Sequence, residues 1–155
     1  MGSKIDYFPM GPWPVCVAFT RDQKAFKAEV ARLGFPDGPD LIPGNGGNAG
    51  THRVPVSPLT FIITMQPDTR QLLPRQVAAL IAHEATHVAR WFFKSIGEKK
   101  PSAEAQAYFV QYIVQGCLEL IDKENRRAAK KSVSDRKPKK RKNSKAGCEF
   151  EEGVS

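Results

Sequence analysis

Between Pro74 and Gly97 the chain keeps one unbroken helical period, and this run constrains the fold more than any other stretch. Pro74 suits a first helical turn, where its missing N–H would have no partner anyway, and Gly97 supplies a stop. Val77, Leu80, Ile81, Glu84, Val88, Trp91, Phe92 and Ser95 fall on one stripe of this helix, apolar except at Glu84 and Ser95. His83, His87, Arg90 and Lys94 fall on the stripe beside it. The sequence His83-Glu84-Ala85-Thr86-His87 therefore sits at the border between a core and a cleft. Two histidines four apart lie on one helical face, one turn above the other.

The flanking segments can be read in order. Residues 1–13 are broken by Pro and Gly and predict an irregular arm whose Tyr7, Phe8 and Trp13 can pack on the domain. Residues 14–19 predict a buried strand. Thr20 and Gln23 make a capping-box pattern that predicts a helix start, with Phe26, Val30 and Leu33 on its apolar face and Gly34 as its stop. Residues 35–50 are rich in Gly, Pro, Asn and Asp. They lack the Gly-Lys-Ser/Thr of a phosphate loop and read as a surface loop, with a flap over a cleft as the alternative. Residues 51–57 and 59–65 predict two strands joined by a tight turn at Ser57-Pro58, with Pro55 suited to an edge. His52, alone in the first of these, reads as a surface or hydrogen-bonded residue. Pro101-Ser102 opens a last helix, predicted to end near Lys123, with Ala103, Ala107, Val110, Val114, Cys117 and Ile121 on its apolar face.

Charge divides the chain. Residues 123–145 hold twelve Lys and Arg against Glu124 and Asp135, a local +10, whereas the remainder has 24 − 12 = 12 bases and 16 − 2 = 14 acids, or −2. Residues 1–123 are expected to form one domain, and 124–155 a disordered basic tail. Such a tail can bind nucleic acid by counterion release, without base stacking, because 123–145 contains no aromatic residue. Residues 138–142 would also read as a nuclear import signal in a eukaryotic cell. No apolar run is long enough to span a membrane, and the first residues lack a secretory signal, so a cytoplasmic chain is expected. Cys16, Cys117 and Cys148, odd in number and far apart, exclude a disulfide framework and a cysteine zinc ribbon.

The chemistry centres on zinc. His83 and His87 can clamp one ion, and Glu84 can take a proton from a water that the metal activates. A catalytic zinc needs a third protein ligand, and the carboxylates between the long helices are Glu98 and Glu104. Glu98 stands beside two lysines in a solvated turn. Glu104 opens the last helix, where an antiparallel return brings it back toward the first, and is the stronger candidate.

H-E-x-x-H at 83–87 followed by Ser102-Ala103-Glu104-Ala105-Gln106-Ala107-Tyr108 resembles the gluzincin metallopeptidases, most closely the minimal versions of phages and prophages. The resemblance covers about 40 positions, 80–120; residues 14–80 match only in the order of their elements. It implies an α+β, minimal zincin-like domain: a small mixed sheet, an N-terminal helix, the H-E-x-x-H helix, and a C-terminal helix carrying the third ligand. It implies Zn2+ on His83, His87 and Glu104, Glu84 as general base, and an extended peptide or protein as substrate, received along the edge of strand 59–65. For a phage protein the compartment would be the host cytoplasm or the virion. Departures are a short interval from His87 to Glu104 and the absence of a flanking substrate domain. An oxyanion-binding histidine is also missing, for which only Tyr108, Tyr112 or Arg90 could substitute. A non-catalytic, zinc-stabilised protein working through its basic tail is the alternative reading.

Overall fold

A computed structural model describes residues 5–42 and 46–135, the side chains of 131–135 excepted. The fold is α+β. Strands β1 (Asp6–Phe8), β2 (Val15–Thr20), β3 (Ala49–Val54) and β4 (Leu59–Met65) form one mixed sheet in the order β1-β2-β4-β3. β1 and β3 are its edges. β1 runs antiparallel to β2, β2 parallel to β4, and β3 antiparallel to β4. Helix α1 (Gln23–Arg32) covers one face, and helices α2 (Pro74–Ser95) and α3 (Ala103–Asp135) cover the other.

The two faces follow from the two-residue period of the strands. Val17, Phe19, Phe61, Ile63 and Met65 meet Ile81, Val88, Phe92 and Phe109 in the larger core. Ala18, Ile62 and Val54, one residue out of phase, meet Phe26 and Val30 of α1. Trp13 sets its ring edge-on to Phe92, Phe93 and Phe109, with centroids 5.7, 5.9 and 5.3 Å away, and so ties the N-terminal arm to both long helices.

Several expectations change. The arm contains a strand, β1, held at its outer side by Tyr7, whose hydroxyl donates to Glu29 Oε1 at 2.5 Å. Helix α1 is capped by Asp22, which accepts from the amides of Lys24 and Ala25, rather than by Thr20, which ends β2. Thr20 instead accepts from the Asp22 amide. The predicted strand pair is present, but β4 lies inside the sheet with both neighbours bonded; the free edge belongs to β3. Helix α2 starts at Pro74 and ends as expected, with Gly97 at φ 78° and the amide of Glu98 reaching the Phe93 carbonyl.

Helix α3 runs past Lys123 to Asp135, so the expected boundary at 123 falls inside a helix. Its basic turns are anchored by opposite charges: Lys123 and Arg127 pair with Asp6, and Glu124 pairs with Arg70 and Arg21. The expected tail beyond 135 lies outside the described residues. Among those described, no helix is long and apolar enough to cross a membrane. Cys16 and Cys117 are free thiols, and burial pushes the Cys117 thiol well above its ordinary range.

α3 approaches β1 closely at Gly116, where an added Cβ would lie 2.3 Å from the Phe8 ring. Gly116→Ala should therefore lower stability by about 1–2 kcal/mol in urea unfolding, despite a helix-propensity gain of roughly 1 kcal/mol. An unchanged or higher midpoint would contradict this packing of β1 on α3.

Candidate metal centre

The H-E-x-x-H segment occupies the middle of α2, and the helix sorts its side chains by direction. Glu84 is 6 % exposed, turned toward the sheet, while His83 and His87 are exposed. The two imidazoles face each other with Nε2 atoms 3.2 Å apart and ring centroids 4.8 Å apart. Two nitrogens each about 2.0–2.1 Å from one tetrahedral zinc would stand about 3.3 Å apart. The spacing fits a shared metal. It also allows one neutral ring to donate to the other.

Glu84 is fixed by β3. Its Oε2 accepts from Thr51 Oγ1 at 2.6 Å, and the same hydroxyl lies 3.4 Å from the Glu84 carbonyl. The bond ties the edge strand to α2 inside a largely buried setting, where a carboxylate without a donor would be costly. Around it lies a cleft of about 250 Å³ lined by Gly50 and Thr51 of β3, Glu84, His87 and Trp91 of α2, and Ile42 and Gly47 of the preceding loop. Ile42 and Gly47, on either side of residues 43–45, thus form one wall of the cleft. Trp91 stands 6.0 Å from His87 and stacks on Phe61 at 6.3 Å, lining the cleft beside His87.

Glu104 is not brought to this pair. Phe109 packs on Phe92 and Phe93 with ring centroids 4.7 and 5.5 Å away. Because α3 runs back along α2, five residues before Phe109 corresponds to the C-terminal end of α2, roughly 15 Å along the axis from His87. Glu104 is exposed there, and among the described residues no group of three or more His, Cys, Asp or Glu could hold a metal. Glu98 is exposed in the turn, with its carboxylate accepting from the Lys100 amide. The oxyanion candidates lie elsewhere too. Tyr108 and Tyr112 are exposed on α3, and Arg90 lines the hollow between α2 and the α2–α3 turn.

His52 belongs to the other face. One residue from Thr51 on β3, it points toward α1, where its ring lies 4.5 Å from Phe26. Its Nε2 donates to the Leu41 carbonyl at 2.9 Å and lies 3.2 Å from Thr64 Oγ1. Thr51 is the residue that sequence reasoning missed. Nothing but its strand phase and its place opposite α2 distinguishes it from the other threonines of the sheet.

No protein-family model, curated protein or solved structure matches this chain.

Burial holds the His52 pKa below its ordinary value, the Leu41 carbonyl and Glu84 opposing that shift. The unfolded chain therefore binds a proton first as pH falls. His52 contributes fully to stability above about pH 6.5, and that contribution shrinks below it, with a slope of at most about 1.4 kcal/mol per pH unit. Denaturant unfolding from neutral to mildly acidic pH should show a shallower loss for His52→Asn than for wild type. Parallel curves would contradict a buried neutral ring.

Proposed function

We propose that this chain is a zinc-dependent peptidase of minimal zincin type, with His83 and His87 as metal ligands and Glu84 as general base. The observation that carries the reading is the convergence of the two Nε2 atoms, 3.2 Å apart, beside a buried carboxylate held by Thr51. The resemblance of His83-Glu84-Ala85-Thr86-His87 to the H-E-x-x-H of gluzincins supports it further.

The described residues fit two of the three protein positions a catalytic zinc uses. When bound, zinc would supply a Lewis acid and bring the pKa of a bound water toward about 7. The chain's own contribution begins with Glu84. Thr51 holds Oε2, which fixes the carboxylate plane and leaves Oε1 to take a proton within the cleft and return it to the leaving amine. Trp91, Ile42 and Gly47 narrow the access of water to that carboxylate. The substrate backbone would lie along β3, the exposed edge, rather than along β4.

Zinc content and peptide hydrolysis test the reading together. Glu84→Gln should keep zinc and lose hydrolysis by at least about a hundredfold, the usual scale of a general base. His83→Ala and His87→Ala should lose both. Zinc content equal to wild type in both histidine variants would end the proposal. Glu104→Ala should retain zinc in the geometry described; loss of zinc would bring the α3 carboxylate into the ligand set through a rearranged α2–α3 turn.

A further inference from the structure

Beyond the Glu84–His87 cleft, the edge of β3 borders two more hollows. A groove of about 550 Å³ is lined by the five consecutive residues Thr51 to Pro55 on one side and by the 34–39 loop on the other. Successive strand residues point to opposite faces, so a groove lined by all five follows the edge of the strand rather than either face. Its shape suits an added strand. The second hollow, lined by Arg53, Trp91, Lys94 and Ser95, meets the catalytic cleft at Trp91.

The chemistry of this second hollow is cationic. Among the described residues Arg21, Arg32, Arg70 and Arg127 pair with Asp or Glu, whereas Arg75, Arg90 and Arg126 do not. Arg53 and Lys94 are exposed, and among the described residues neither has an acidic partner. Arg53 shares the α2-facing side of β3 with Thr51, about 7 Å further along the strand. Lys94 lies two turns beyond His87, about 10 Å along α2. Both positions advance in the same direction from the Glu84 carboxylate.

We propose that Arg53 and Lys94 form a specificity subsite for an acidic side chain of the substrate, with Trp91 as the wall between it and the cleft. This rests on the peptidase reading above. A peptide pairing antiparallel to β3 runs from the Arg53 end toward the Ala49 end, so the residues facing Arg53 precede the bond at Glu84. The preferred Asp or Glu therefore lies on the amino side of the cut, about two residues from the position opposite Thr51. A carboxylate there can take the Arg53 guanidinium in a two-point bond with the Lys94 ammonium beside it.

The test uses the full-length, zinc-loaded chain and blocked alanine-based octapeptide amides carrying one Asp, Asn or Lys at each position. A set with a free C-terminal carboxylate and no Asp is included. Cleavage sites are read by mass spectrometry. Asp on the amino side of the cut should raise kcat/KM roughly five- to tenfold over Asn. The Arg53→Glu, Lys94→Glu double variant should lose that preference and turn toward Lys peptides, with zinc content and thermal stability unchanged. Cleavage indifferent to Asp, or a preference that survives the charge reversal, would overturn the subsite while leaving the peptidase reading intact. A preference for the free C-terminus alone would also overturn it. Should no peptide be cleaved, fluorescence anisotropy of fluorescein-labelled Asp and Asn peptides on Glu84→Gln decides separately. Tighter binding of Asp that is lost on charge reversal supports the subsite, and equal binding overturns it.

Discussion

The hydrogen bond from Thr51 to the Glu84 carboxylate is the interaction on which the site depends. It joins the sheet edge that lies beside α2 to Glu84, the acidic residue buried in that helix. Each partner is set by its element. Thr51 faces α2 because β3 alternates, and Glu84 faces β3 because it shares a helical stripe with Ile81 and Val88. Turning either element by one residue would replace this bond with an unpaired buried carboxylate. The rest of the sheet, packed from both sides, keeps that register fixed.

From that anchor the other features follow by spacing. Three residues on from Glu84, about one helical turn, His87 emerges at the mouth of the cleft, and His83 lies one turn behind it. The carboxylate is thus buried and oriented while the two imidazole rings stay open. Arg53, two strand residues past Thr51, and Lys94, two turns past His87, extend the same line along the edge of β3. A single strand–helix pair therefore supplies the carboxylate, the two imidazoles and a cationic hollow in sequence.

The parts legible in the sequence were those encoded locally. The period of α2, its proline start and glycine stop, and the strand pair around Ser57-Pro58 all rest on neighbours within a few residues. Strand order was not local. The parallel pairing of β2 with β4 places β4 inside the sheet, so the free edge on that side is that of β3. β1, only three residues long, carries no period and is recognised by its partners on β2 and α3. The cap of α1 fell to Asp22 because β2 continues through Thr20. The end of α3 was hidden by charge. Residues after Lys123 look like a solvated tail, yet Glu124 and Arg127 reach Arg70, Arg21 and Asp6, contacts distant in sequence.

Glu104 shows how far spacing alone can carry a ligand assignment. Its sequence interval from His87 is short enough for a shared metal, but the stacking of Phe109 on Phe92 sets the level of α3 against α2 and leaves Glu104 beyond the end of that helix. Two imidazoles, not three ligands, are what the described fold assembles. Zinc absorption spectroscopy of the loaded protein addresses that claim most directly. The account predicts two imidazole nitrogens about 2.0–2.1 Å from the metal in the wild-type chain and no bound zinc in His87→Ala. A zinc environment of oxygen alone, or one unchanged in the His83→Ala, His87→Ala double variant, would contradict it.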